Sequence, residues 1–225
     1  MNKIALRILA ASLAVSASAA ASAQVYNQPY DGSTNAYSSQ NDTSGTYGNF
    51  ATVYDNFTLG SATTITNLAF TGEYFDPPTV GSTTAFNINF YADNAGQPGS
   101  SLWSTTISGN GGESCNTSGT FPLCTYDVTT NFSANAGTQY WLSIVPDLAF
   151  PPQWGWAQGS GGDSISYQDF FGARSQLSND LAFTLNGTPG VPEPATWAMM
   201  LLGFGFVGGA MRNSKRRQKL TVSYA

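Results

Sequence analysis

From about residue 49 the chain alternates apolar and polar positions with a period of two, in short stretches broken by Gly, Pro, Asn and Asp. The clearest stretch is 86–91, where Phe86, Ile88 and Phe90 fall on one face and Asn87 and Asn89 on the other. The same rule predicts strands over 53–59, 65–70, 102–107, 126–129, 140–145, 154–157, 165–170 and 181–185. No helix-length apolar periodicity occurs before residue 190. The fold predicted for 49–190 is therefore all-β, an antiparallel β-sandwich of jelly-roll-like form, in which two stacked sheets bury the alternating residues. No internal repeat supports a solenoid or a propeller. Residues 24–48, rich in Tyr, Asn, Ser and Gly and poor in aliphatics, read as a flexible arm or edge strand.

The two ends carry a different pattern. Residues 1–23 hold a short basic region (Lys3, Arg7), an apolar stretch too short for a bilayer, and small residues closing on Ala21 and Ala23, which reads as a signal peptide cleaved by signal peptidase before Gln24. Residues 195–211 form an uncharged run about 25 Å long as a helix, read as a short transmembrane helix. The basic tail 212–225, with Arg212, Lys215, Arg216 and Arg217, reads as a cytoplasmic stop.

Charge sharpens this division. Of 225 residues, 8 are Lys or Arg, 13 are Asp or Glu, and none is His. Histidine-dependent triads, general bases and zinc sites are excluded. The segment 24–190 holds ten Asp, two Glu and one base, Arg174, for a net charge of −11. Such a body repels nucleic acid and anionic lipid surfaces. The two cysteines, Cys115 and Cys124, bracket one glycine-rich loop, and in an exported chain they read as a disulfide worth about 2.5–3 kcal/mol on the chain-entropy model. Free thiols and a redox pair are the alternatives, although the spacing is not C-x-x-C.

Immediately before the apolar run stand Val191, Pro192, Glu193 and Pro194, and from there the chain resembles a PEP-CTERM sorting signal, in an alphaproteobacterial form with Trp197 and Met199-Met200 after the motif. The resemblance covers 191–225. It implies recognition of residues 191–194 by an exosortase, a membrane-embedded cysteine protease, in a Gram-negative bacterium that makes exopolysaccharide. It also implies an inner-membrane precursor facing the periplasm, and then a place at the cell surface or in the matrix. The same C-terminal motif occurs on ice-binding proteins. Physical chemistry agrees with the motif's role, because a Pro-x-Pro segment stays out of helix and sheet and leaves Glu193 on extended, protease-accessible backbone. The body also resembles ectodomains seen with this anchor, through the segment from Tyr91 through Asp93, Gly96 and Pro98 to Gly99, through Tyr140-Trp141-Leu142 and through Asp180 to Phe183. That resemblance implies a β-sandwich and no activity.

Within the body, Trp154 and Trp156 lie at positions i and i+2, on one face of a strand. They read either as a core pair or as a platform on which pyranose rings stack, with Gln153, Gln158 and Asp163 nearby for hydroxyls. Asp93, Asp163 and Asp169 read either as turn residues or as calcium ligands, since Ca²⁺ takes loop oxygens. No other cofactor is expected. No spacing singles out the facing carboxylates that a glycosidase needs. The role expected of the body is thus structural or adhesive rather than enzymatic. Its alternatives are a glycan-binding module, for example for the cell's own exopolysaccharide, and a hydrolase of that polymer.

Overall fold

The computed structural model describes residues 22–190 and 194–215. The leader with Ala21, the motif residues Val191, Pro192 and Glu193, and the tail with Arg216 and Arg217 lie outside them, and the side chains of Pro194 and Lys215 are likewise not described. The chain divides into two units, 1–188 and 189–225.

The first unit is built from fifteen strands among the described residues. In chain order they are β1 (Ala23–Gln28), β2 (Ala36–Ser38), β3 (Gln40–Asp42), β4 (Gly48–Thr58), β5 (Thr63–Phe75), β6 (Ala85–Asp93), β7 (Pro98–Ser108), β8 (Ser114–Asn116), β9 (Leu123–Ala134), β10 (Gln139–Leu148), β11 (Gln153–Gly159), β12 (Ser166–Phe170), β13 (Ala173–Leu177), β14 (Asp180–Leu181) and β15 (Phe183–Pro189). One sheet runs β1-β15-β5-β11-β14, with β2 on β11 and with β9 and β8 extending from β5. The other runs β13-β12-β4-β3-β10-β6-β7, with a further β4–β10 pairing.

All nine sequence-predicted strands form, and the last divides into β14 and β15. Among the described residues pairing is antiparallel except between β10 and β3, where Asp147 and Leu148 run parallel to Asn41 and Asp42, and at an isolated bridge between Leu59 and Ala136. The segment 24–48 is no flexible arm. It supplies the edge strand β1 and two short strands, and Gln28, Ser39, Gln40 and Asp42 are buried. Hydrogen bonds replace aliphatic packing there: the Gln40 amide nitrogen donates to the Leu148 carbonyl at 3.0 Å, and its oxygen accepts from the Trp154 amide at 2.9 Å.

The core lies between the sheets, where period-two patterning holds best. Along β9 every second residue from Cys124 to Ala134 is buried and the intervening ones are exposed. Aromatic rings fill the centre, with Phe90 stacked on Phe132 at 4.4 Å and Phe70 on Tyr126 at 4.7 Å. Gly72 is required by this packing, because a Cβ there would stand 2.2 Å from the Trp154 ring. Alternation fails on β4 and β10, whose residues are buried on both faces. Tyr54, Trp141 and Tyr167 form a second, smaller apolar layer that covers the outer face of these central strands.

The second unit contains one helix, α1 (Pro194–Lys215). It covers the run expected to span the membrane, yet among the described residues no helix is long and apolar enough to cross one. The uncharged run is only 17 residues and contains Gly203, Gly205, Gly208 and Gly209, which lower its hydropathy. Its apolar side chains are exposed, Leu201 by 68% and Phe206 by 75%.

Candidate functional site

A cleft of about 720 Å³ lies at the end of one sheet of the sandwich. Strand β2 brings Ala36 and Tyr37, β5 brings Glu73 and Phe75, and β11 brings Gln158. The ladder sets their spacing, since Gly155 of β11 lies between Ser38 and Glu73, and Trp156 between Tyr37 and Gly72. Gly155 has no Cβ to displace the Phe75 ring, which an added methyl would meet at 2.8 Å. Asp76, Pro77 and Pro78 continue from β5 as one rim, with Asp76 in the left-handed region at φ 52°. Phe121 enters from the loop between β8 and β9. That loop is closed by the Cys115–Cys124 disulfide, and the two residues are directly opposite each other in the β8–β9 pair. The pairing predicted from the sequence is therefore present, and it holds an aromatic residue at the cleft.

Polar groups line the cleft beside three half-buried rings, those of Tyr37, Phe75 and Phe121. Glu73 is 3% exposed and Gln158 7%. Burial pushes the Glu73 carboxyl above its usual range, the charge of Asp31 pushes it further, and the Tyr30 hydroxyl partly opposes both. The Tyr37 hydroxyl donates to Asn179 Oδ1 at 2.8 Å and accepts from Gln158 Nε2 at 3.3 Å, which fixes the ring. The Gln158 amide donates to the Asn35 carbonyl at 3.0 Å. The side chains of Asn35 and Asp76 make no hydrogen bond among the described residues.

A smaller concavity of about 230 Å³ lies on the outer face of the other sheet, among Asn41, Tyr54, Asn87, Asn89 and Tyr91. Its polar groups are largely engaged with one another and their neighbours. Asn41 and Asn87 both donate to Asp147 Oδ1 at 2.8 Å, Thr106 donates to Asn87 Oδ1 at 2.8 Å, and Tyr91 bonds Ser143 at 3.1 Å.

Trp154 and Trp156 do not form a glycan platform. Both are wholly buried, because the shared face that their spacing predicts is the inner one. Their ring nitrogens are satisfied internally, by the Tyr126 hydroxyl at 2.9 Å and the Ala182 carbonyl at 3.0 Å. Tyr126 in turn donates to Glu113 Oε1 at 2.7 Å, as does Tyr74. Burial pushes both tyrosines well above their ordinary range.

The three candidate calcium ligands go separate ways, each to a local bond. Asp93 accepts from Trp141 Nε1 at 2.9 Å, Asp163 from the Asn56 side chain at 3.1 and 3.2 Å, and Asp169 from Arg174 at 2.7 and 2.8 Å. Among the described residues, the one close trio of carboxylate and cysteine side chains is Glu113, Cys115 and Cys124, whose sulfurs are bonded to each other. Asp55, wholly buried, accepts from the Leu181 and Asn56 amides at 2.6 and 2.7 Å. Burial raises its pKa well above the usual value, against those bonds and with the charges of Asp180 and Asp163 adding to the effect. It packs the interior and faces no open space.

Apart from Gln158, the residues of the cleft escaped the sequence reading because β2 is short and Phe75, Phe121 and Tyr37 lie far apart along the chain. The signal available was the disulfide loop, which contains Phe121.

Residues 190–217 match the PEP-CTERM protein-sorting motif. No curated protein matches the chain.

Proposed function

We propose that this chain is an exported surface or matrix protein, sorted through its C-terminal motif by an exosortase-like membrane protease, with a sandwich that serves a structural or adhesive role. The match at 190–217 is the observation that carries the reading. It follows directly on β15, so the processed segment and the folded body are contiguous in the chain. Val191, Pro192, Glu193 and Pro194 are the recognition element. The run 195–211 holds the precursor at the inner membrane with 24–190 in the periplasm and Arg212, Lys215, Arg216 and Arg217 on the cytoplasmic side. Its shortness suits a segment that is removed rather than one that stays. A disulfide in the body and a net charge of −11 support an exported, soluble domain.

The test is the intact mass of the protein from a host that expresses an exosortase, with and without Glu193→Ala. The expected result is loss of the C-terminal segment at or near 191–194 in the wild type and retention in the variant. A wild-type product that still ends at Ala225 would overturn the reading.

A further inference from the structure

We propose that the cleft between β2, β11 and the end of β5 binds an uncharged oligosaccharide. The inference rests on the adhesive reading of the sandwich and gives it a ligand class. Three observations carry it. The first is size: about 720 Å³ falls within the roughly 300–1,000 Å³ of small-molecule sites. The second is the pairing of surfaces. The half-buried rings of Phe75 and Phe121 offer apolar faces to the C–H side of a pyranose. Beside them, Glu73 and Gln158 line the cleft with a carboxylate and an amide for hydroxyls. The third is the exposure of polar side chains at the cleft. Asn35 and Asp76 are exposed at the cleft, so their side chains can exchange water for sugar hydroxyls.

Charge decides between ligand classes. The single base of 24–190, Arg174, is held by Asp169 through two bonds at 2.7 and 2.8 Å and by the Pro98 carbonyl at 3.2 Å. A uronate or phosphate-bearing ligand entering the cleft would meet Glu73 and Asp76 without a compensating cation. A metal ion is no better served, since neither carboxylate belongs to a close trio of ligating side chains among the described residues. Sugar hydroxyls, which both donate and accept, suit carboxylate, amide and phenol alike.

The experiment uses the full chain, produced in an exporting host, on an array of uncharged oligosaccharides of two to five residues in gluco, galacto, manno and N-acetyl forms. Hits are quantified by calorimetry, with trigalacturonate as the charged comparison. The expected result is saturable binding of at least one neutral sugar, weakened about tenfold by Phe121→Ala and binding trigalacturonate at least about tenfold more weakly. Phe121 lies in a loop outside the core, so its variant keeps the fold, which the thermal midpoint verifies. Glu73→Gln, which keeps the side chain's shape, should also weaken binding. Retention of no neutral sugar, preference for trigalacturonate, or binding unchanged by both substitutions would each overturn the proposal. C-terminal processing is read separately by mass, so failure here is distinct from failure of the sorting assignment.

Discussion

The sandwich and the C-terminal helix use the same kinds of side chain in opposite ways. Trp141, Trp154 and Trp156 in the sandwich have no exposed surface, whereas Trp197 of α1 is 51% exposed, Phe204 70% and Phe206 75%. In the sandwich, alternation commits one face of a strand to a facing sheet, and each of these three indoles finds a partner for its N–H. In α1, Met199, Met200, Leu201, Leu202, Phe204, Phe206 and Val207 follow one another so closely that at 100° per residue they occupy every side of the helix. A sandwich thus brings its own apolar surroundings, and a helix apolar all round takes them from lipid or from another protein. This is the physical difference between the folded body and the helix that lies within the sorting-motif match.

The contrast is open to direct attack, most strongly at a buried indole. Trp154→Ala should cost about 3–5 kcal/mol in urea unfolding of the sandwich, and Trp197→Ala should leave that transition within about 0.5 kcal/mol. A comparable loss from both would show that the units unfold together. Cys115→Ser should cost about 2–4 kcal/mol, seen as a lower thermal midpoint without reductant. Gly72→Ala, which sets a methyl 2.2 Å from the Trp154 ring, should cost about 1–3 kcal/mol, while Gly205→Ala in α1, with open space around its Cα, should leave the sandwich unchanged.

The smallest effect concerns acid. Burial alone would raise the pKa of Asp42, but bonds from the Phe150, Ser44 and Tyr47 amides and the Ser44 hydroxyl hold it well below the usual carboxylate range. A depressed native pKa means that the unfolded chain takes up the proton first, so this stability is complete above pH 4 or so and is lost as pH falls below it. Asp55 acts in the opposite sense, because its raised native pKa makes stability fall as pH rises through the range above the ordinary carboxylate value. Asp42→Asn should therefore lower stability by about 1 kcal/mol at pH 7 and flatten the loss on acidification, measured by urea midpoints from pH 7 to pH 2.

The sheet architecture was legible where apolar residues recur every second position, as on β6 and β9. It was hidden where polar side chains do the packing. β3 carries Gln40, Asn41 and Asp42, two of them buried, and β13 carries the largely exposed Ala173 to Gln176, so neither shows a hydrophobic period. The i, i+2 spacing of Trp154 and Trp156 correctly placed both on one face, but spacing alone does not say whether that face is inner or outer. The outer layer of Tyr54, Trp141 and Tyr167 was equally hidden, because three distant residues meet only after β4, β10 and β12 pair. The sorting motif, by contrast, is local chemistry on contiguous residues and is readable without a fold.

Strand β15 leads out of the sandwich toward the sorting motif, and its position has a mechanical meaning. It lies between β1 and β5, and its exit end sits beside the start of β5, with Gly187 against Thr64 and Asn186 bonded to Asn67. The cleft lies at the other end of β5, around Glu73 and Phe75. A load applied between a tether beyond Pro189 and an object gripped in the cleft would pull β15 and β5 lengthwise in opposite directions. The ladder between them would then bear the force in shear, many bonds at once, instead of peeling open one bond at a time.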